Sequence, residues 1–328
     1  MRSTALRAVA LALLSALFFT LTYVLNRAVV SSGGHWQWAV VGRYLITLPL
    51  LALVLPFQGG AGAFPAELRR HPRPWFLWSS VGFVLFGVPL TWAASSGPSW
   101  LIAGSFQSTV LAGPLLAPLI YRDHRGHLSL RTLAVGALIV AGVLTLQLGH
   151  AHGSLDMNAW LAVGAVVFAA FAYPLGNRMI MLHLERSGTQ LSAVQRVFGM
   201  TLCSWPLWLV LAIVTWMTLG PPTGTELLLA GGVALSSGVV ATVLFFHATA
   251  MVGRQPTALA AVEAMQAAEL LFATIIGLVF LHEALPGPVA SLGAVAIVIG
   301  IVLFAWMSGR DSSTDPHVAD EAATDRGA

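Results

Sequence analysis

The sequence predicts an all-α membrane protein, with ten transmembrane helices arranged as two inverted five-helix repeats. Three observations carry that prediction. The 328-residue chain is 57% hydrophobic and 9% charged, where a soluble domain is about 25% charged, and its mean hydropathy is +0.82. Nearly every apolar run is too long for a strand and exceeds the roughly 18 residues that mark a membrane helix. The stretch Asn26-Arg27, then Arg43, recurs about 151 residues later as Asn177-Arg178, then Arg196.

Ten runs read as spans: 7–26, 36–56, 75–95, 100–120, 131–148, 159–177, 197–217, 227–249, 257–281 and 288–308. The first reads as a retained helix rather than a cleaved leader, because it continues to Val24 and ends as the sixth run does. The second carries Arg43 about seven residues in. The third follows Pro72 and Pro74. The fourth follows Gly97-Pro98 and holds Gln107, Pro114 and Pro118, prolines expected to kink it and free carbonyls toward a cavity. GALIVAGV from Gly136 in the fifth matches GAVAIVIGI from Gly293 in the tenth, and such small faces let membrane helices approach closely. Arg196 opens the seventh, which contains Cys203, read as a small buried hydrophobe. His247, near the end of the eighth, reads as a packing histidine or a proton relay. The ninth follows Pro256, and the tenth begins at Pro288. Residues 1–149 then form one repeat, 150–158 a periplasmic linker, 159–309 the second repeat and 310–328 a disordered cytoplasmic tail.

All sixteen basic residues are arginine, and they orient the chain. With the N-terminus inside, all but two face the cytoplasm. Arg27 lies at an outer end and Arg43 within a span. Both termini are therefore expected inside. An odd number of spans per half makes the second repeat enter from the opposite side. Such antiparallel duplication marks secondary transporters, whose two packings open to alternate faces.

Polar groups within spans are expensive and each needs an account. The ninth span carries Glu263, Gln266 and Glu269, within an arc of roughly 120° if the helix is continuous. Glu269 falls near the midplane, where it is expected to pair with a cation, protonate or line a wet cavity. The alternative is a fixed ion pair with Arg43 or Arg196 that locks helices together. Gln107 occupies in the fourth span the place of Gln266 in the ninth. Arg43 either snorkels outward or meets a carboxylate or an anionic substrate group. Trp36, Trp38, Trp75, Trp78, Trp100 and Trp160 read as an interfacial belt. Trp92, Phe106, Phe171, Tyr173, Trp205 and Trp208 are candidates for a wall around a lipophilic cation. No phosphate loop, HExxH or paired Cys/His spacing is present, so no cofactor or metal is expected. His150 and His152 form only an HxH fragment. A basic stripe interleaved with aromatics is also missing, which argues against a nucleic-acid partner. The expected partners are a small-molecule substrate and the lipid bilayer, in a monomer or homodimer. A membrane-embedded enzyme would need a nucleophile or metal constellation that the sequence lacks.

Several stretches carry a family resemblance: LNRAVVSSGGHWQW from Leu25, GPSWLIAGSFQ from Gly97, FAYPLGNR from Phe171, QRVFGMTL from Gln195, SSGVVATVLFF from Ser236 and AAVEAMQAAELLFA from Ala260. Over residues 5–308 the chain resembles the multidrug resistance efflux transporters of the drug/metabolite transporter superfamily (EamA/EmrE-like). That resemblance implies ten helices around a central cavity, with the fourth and ninth prominent. It also implies a bacterial inner-membrane, secondary-active exporter of small hydrophobic or cationic compounds, with protons as the exchanged ion. The short four-helix exporters of that superfamily use a first-helix glutamate. This chain has none between Arg7 and Asn26, which leaves the ninth-span acids for coupling. An amino-acid or metabolite exporter, with Arg43 holding a carboxylate, is the alternative within the superfamily.

Overall fold

Inside a bilayer every backbone N–H and C=O must be satisfied by the protein itself, and an apolar chain without strand-length runs does this as helices. The computed structural model describes residues 2–120, 130–150, 157–252 and 256–314, and no strand occurs among them. Nine helices among the described residues are long and apolar enough to cross a membrane, and the apolar Met265–Leu281 is shorter.

The helices are α1 (Arg2–Ser31), α2 (Trp36–Val54), α3 (Phe64–Arg70), α4 (Pro72–Ser79), α5 (Leu85–Ala93), α6 (Ser99–Phe106), α7 (Thr109–Ile120), α8 (Leu130–His150), α9 (Met157–Ser187), α10 (Ala193–Leu219), α11 (Gly224–Val233), α12 (Thr242–Val252), α13 (Pro256–Ala264), α14 (Ala268–Leu281) and α15 (Pro288–Thr314). Several depart from the expected spans. α1 and α9 run past their Asn-Arg dipeptides, because nothing breaks the helix before the left-handed Gly33 (φ +83°) and Gly188 (φ +68°). α15 continues to Thr314, into the expected tail, and residues 315–328 lie outside the described residues, as do 151–156 of the expected linker.

The fourth and ninth spans are each broken at the same relative place. A tight turn at Gln107 and Ser108 separates α6 from α7, and the backbone N–H groups there reach carbonyls three residues back. A 3₁₀ turn over Met265–Ala267 separates α13 from α14. α7 runs through Pro114 and Pro118 without interruption. The expected proline kink is thus replaced by a break upstream at the glutamine. Two π turns, Ser80–Val84 between α4 and α5 and Ala234–Ala241 between α11 and α12, interrupt the third and eighth spans without ending them.

Helix contacts cross between the halves. α1 packs on α11–α12 and α13–α14, and α9 packs on α4–α5 and α6–α7. α2 meets α10, α6 meets α14, and α8 meets α15. The α8–α15 seam is backbone against backbone. A Cβ on Gly293 would lie 2.6 Å from the Gly142 carbonyl oxygen, and one on Gly142 would lie 3.0 Å from the Gly293 oxygen. The small-residue faces at 136–143 and 293–301 therefore meet each other. α9 approaches the first π turn equally closely, since a Cβ on Gly176 would overlap Gly82.

The tryptophan belt is only partly as expected. Trp38, Trp75 and Trp100 are buried. Trp38 donates to the Gly220 carbonyl and Trp100 to that of Ala284, while Trp75 packs edge-on against Phe64 of α3. These rings pin loops to the bundle instead of facing headgroups. Cys203 is buried and free, as its apolar run suggests.

Candidate functional site

Glu269 lies in the first turn of α14, directly after the 3₁₀ turn, and is 5% exposed. Tyr23 of α1 donates its hydroxyl to Glu269 Oε2 at 2.9 Å. Thr20, one turn earlier, donates its hydroxyl to the Ala16 carbonyl at 2.8 Å and lies 3.4 Å from the Glu269 carbonyl. Neither Arg43 nor Arg196 forms an ion pair with Glu269. The helix-locking alternative is therefore absent, and the carboxyl is held by one neutral hydroxyl.

Arg43 points inward rather than snorkelling. Its Nη2 donates to Ser237 Oγ in the second π turn at 3.1 Å, and its guanidinium lies over Tyr44 (5.4 Å) and Phe86 (6.0 Å). Nη1 is buried with no hydrogen-bond partner. Burying a charge costs several kcal/mol unless a partner offsets it. Glu269 and Arg43 thus both lie within the bundle, and neither neutralises the other.

A chain of rings joins them. Tyr23 sits 6.1 Å from Phe106, Phe106 5.7 Å from Phe86, and Phe86 5.0 Å from Tyr173, all centroid to centroid. Tyr173, 38% exposed, lies within electrostatic reach of Arg43, Arg196 and Glu269. Tyr44 stacks on Trp208 at 4.2 Å behind Arg43. Elements from both halves thus converge: α1, α2, α5, α6, α9, the second π turn and α14.

The sequence-derived candidates divide accordingly. Glu269, Arg43, Phe106 and Tyr173 come together. Gln107 is buried at the first helix break. Gln266 lies in the second break, with its Nε2 buried and unpartnered. The side chain of Glu263 lies outside the described residues. Trp92 is half-buried and makes no ring contact with this cluster among the described residues. Phe171 precedes Tyr173 by two residues, about 200° around α9, so the two cannot line one wall. Trp208 contributes only from behind Tyr44, and Trp205 donates to the Tyr44 carbonyl. Arg196 keeps a buried, unpartnered Nε. His247 is exposed on α12. Sequence reading missed Tyr23, Thr20, Phe86, Tyr44 and Ser237. A hydroxyl-bearing ring within an apolar run was the available signal for Tyr23.

Three further acids close the ends of the bundle. Glu67 of α3 is bound by His183 Nε2 and the Thr189 hydroxyl, both at 2.8 Å. Burial alone would raise its pKa, but these partners outweigh it and hold the carboxyl below the ordinary range. Glu226 accepts from His35 N (2.6 Å) and closes a capping box with Thr223 at the start of α11. Glu283 follows His282, whose left-handed backbone ends α14. It accepts from Ser99 N and Ser99 Oγ at the start of α6, and Arg27 Nε lies 3.9 Å away.

Residues 6–310 match the family model described as "EmrE: Putative multidrug resistance efflux transporter". The chain belongs to this EmrE family. It is 41% identical over 312 residues to "Uncharacterized protein YjlA" of Bacillus subtilis (strain 168), covering 92% of this chain and 95% of that relative. It is 39% identical over 282 residues to an "Uncharacterized 42.1 kDa protein in intracellular alkaline protease 3'region" of Shouchella clausii, covering 84% and 73%. A solved crystal structure shares the fold, with a TM-score of 0.58 at 16% identity over 92% of this chain and 98% of the other. Membership of the EmrE family and nine apolar helices among the described residues make this a multi-pass membrane protein of a transport family. For an EmrE-family member, the cluster offers a carboxyl that can take a proton or a cation, a guanidinium that can take an anion, and rings for an apolar body.

Proposed function

We propose that this protein is a secondary-active exporter of the bacterial inner membrane. It moves small hydrophobic or cationic compounds by alternating access, in exchange for protons, with both termini cytoplasmic. The observation that carries the reading is Glu269: buried, at the break of the ninth span, joined to Tyr23 and to no arginine. A proton and a cationic substrate both neutralise that charge, so binding one releases the other. Export against a gradient then follows if the empty, doubly unneutralised site is too costly to reorient. Gln107 and Gln266 supply hydrogen bonds beside it, and Phe106, Phe86, Tyr23 and Tyr173 supply the wall.

The ten-helix inverted repeat belongs to the same proposal. It is supported by breaks at the matching Gln107 and Gln266, by π turns in the third and eighth spans, and by contacts that recur when the halves are exchanged. Such broken helices at a repeat interface are where transporters of this architecture bind substrate. An amino-acid or metabolite exporter would use the same cycle and would differ in what Arg43 holds.

Glu269→Gln tests the mechanism, since it keeps shape and hydrogen-bonding capacity and removes the titratable charge. In vesicles the folded variant should lose pH-driven transport while retaining exchange of substrates that do not need the charge. Normal pH-driven transport by a well-folded Glu269→Gln protein would rule the mechanism out.

A further inference from the structure

The fourth and ninth spans are each cut in two, and exchanging the repeats carries α6 onto α13 and α14 onto α7. α6 packs on α14. Their counterparts α13 and α7 share no such packing among the described residues. Matching elements are thus closed together at one end of the bundle and apart at the other. An inverted repeat whose ends differ in this way is caught in one of its two packings. The closed end is the outer one in the orientation proposed above. A fold-back of the chain ties it. His282 ends α14 in the left-handed region (φ 52°), the only non-glycine to do so among the described residues. The reversal brings the Glu283 N–H to the Gly277 carbonyl at 3.1 Å. It also lays the Glu283 carboxylate against Gly277, where a Cβ would overlap it. From there the carboxylate accepts from the Ser99 N–H and hydroxyl at the start of α6, and Trp100 donates to the Ala284 carbonyl. Arg27 of α1, beside Glu283, donates to the Ala94 carbonyl just beyond α5. The outer ends of α1, α5, α6 and α14 are thereby joined.

We propose that this tie is the outer gate of the transport cycle: Glu283 releases Ser99, and α6 and α14 swing apart about the breaks at Gln107–Ser108 and Met265–Ala267. The proposal rests on the alternating-access reading and names the contact that opens. Beneath the tie, buried Leu90, Ala94, Ile102, Ala103 and Ala273 form one apolar cluster with Tyr23 and Phe86. Ile102 and Ala103 lie between Ser99 and Phe106 along α6, and Ala273 lies between Glu269 and Glu283 along α14. A path from the outer face to Glu269 between these two helices must part that plug, and the tie holds it shut. The breaks suit a hinge. Each is a single tight turn with bonds reaching three residues back, so a change in a few dihedrals there moves a whole half-helix. Release is also inexpensive at this depth. At the end of the bundle water takes over the carboxylate and the Ser99 donors as they part, so hydrogen bonds are exchanged and not lost.

The test reads access from outside and needs no substrate. Cys203→Ala removes the single native thiol. Ala103→Cys, in the plug, is then labelled in intact cells by a charged, membrane-impermeant thiol reagent. Val41→Cys, buried in the outer part of α2 within a different cluster, is labelled in parallel as the control for general loosening. Glu283→Gln and Gly277→Ala reach the same carboxylate by different routes, one removing its charge and the other displacing it. Each should raise the labelling rate at Ala103→Cys at least tenfold and leave that at Val41→Cys unchanged. If Ala103→Cys does not fold, Ala273→Cys reads the plug from α14. Unchanged labelling of the plug in both variants, or an equal rise at Val41→Cys, overturns the gate and leaves a static clamp, with the exporter reading intact. That reading fails separately, through normal pH-driven transport by Glu269→Gln, and a selective rise at the plug upholds the gate in that case too.

Discussion

Truncating Glu283 to alanine should destabilise the bundle by about 2–4 kcal/mol. The side chain is 7% exposed and accepts two hydrogen bonds from Ser99, the backbone N–H at 2.9 Å and the hydroxyl at 3.0 Å. Bonds to a charged group contribute about 1.5–3 kcal/mol each, and a buried donor left unmet costs about 1–3 kcal/mol. The two Ser99 bonds share one acceptor group, so their loss is less than additive. Arg27, at 3.9 Å and 28% exposed, adds little once solvent screening is counted. Glu283→Gln keeps an acceptor and loses the charge, so about half the effect should remain. The assay is reversible unfolding in mixed micelles, titrated with denaturing detergent, on the native protein and both variants. The order should be native, then Gln, then Ala. A Glu283→Ala protein within about 0.5 kcal/mol of native would refute the assignment of this carboxylate as the clamp between α14 and α6.

Acid should unfold the protein partly through Glu67. Its pKa is held below the ordinary 4.5 by Thr189 and His183, so its contribution is fully present above 4.5 and fades as pH falls through the lower folded value. Glu67→Gln should therefore show a shallower loss of stability below about pH 4.5, and identical acid limbs would contradict the pairing. Gly293→Leu should prevent the α8–α15 seam, because the added side chain meets the Gly142 carbonyl and the Leu146 backbone instead of a yielding side-chain tip. Expected results are poor yield and a melting temperature lowered by several degrees, whereas Gly287→Leu, with open space around it, should behave as native. A reporter active only outside the cell, fused after Arg310, should be silent, and activity there would reverse the orientation.

Composition alone decided that this chain lives in a bilayer as helices. Hydropathy is summed residue by residue, and a run of about 20 apolar residues leaves its backbone no other way to bond. Gly136–Val143 and Gly293–Ile301 were legible as contact faces for the same local reason, since small side chains admit a second helix wherever it comes from. Glu269 was legible as a site residue because a charge within a span is costly in any fold. What that charge touches was not. Tyr23 and Glu269 are 246 residues apart, and Arg43 and Ser237 are 194 apart. Their meeting depends on how each helix is rotated against its neighbours, which one-dimensional patterning leaves open when a span is apolar all round. The breaks at Gln107 and Gln266 were hidden similarly. A tight turn interrupts a helix without changing hydropathy, and the prolines nearby pointed to the wrong turn. Packing across the two halves decided where the helices stop, which way Arg43 points and which rings lie between it and Glu269.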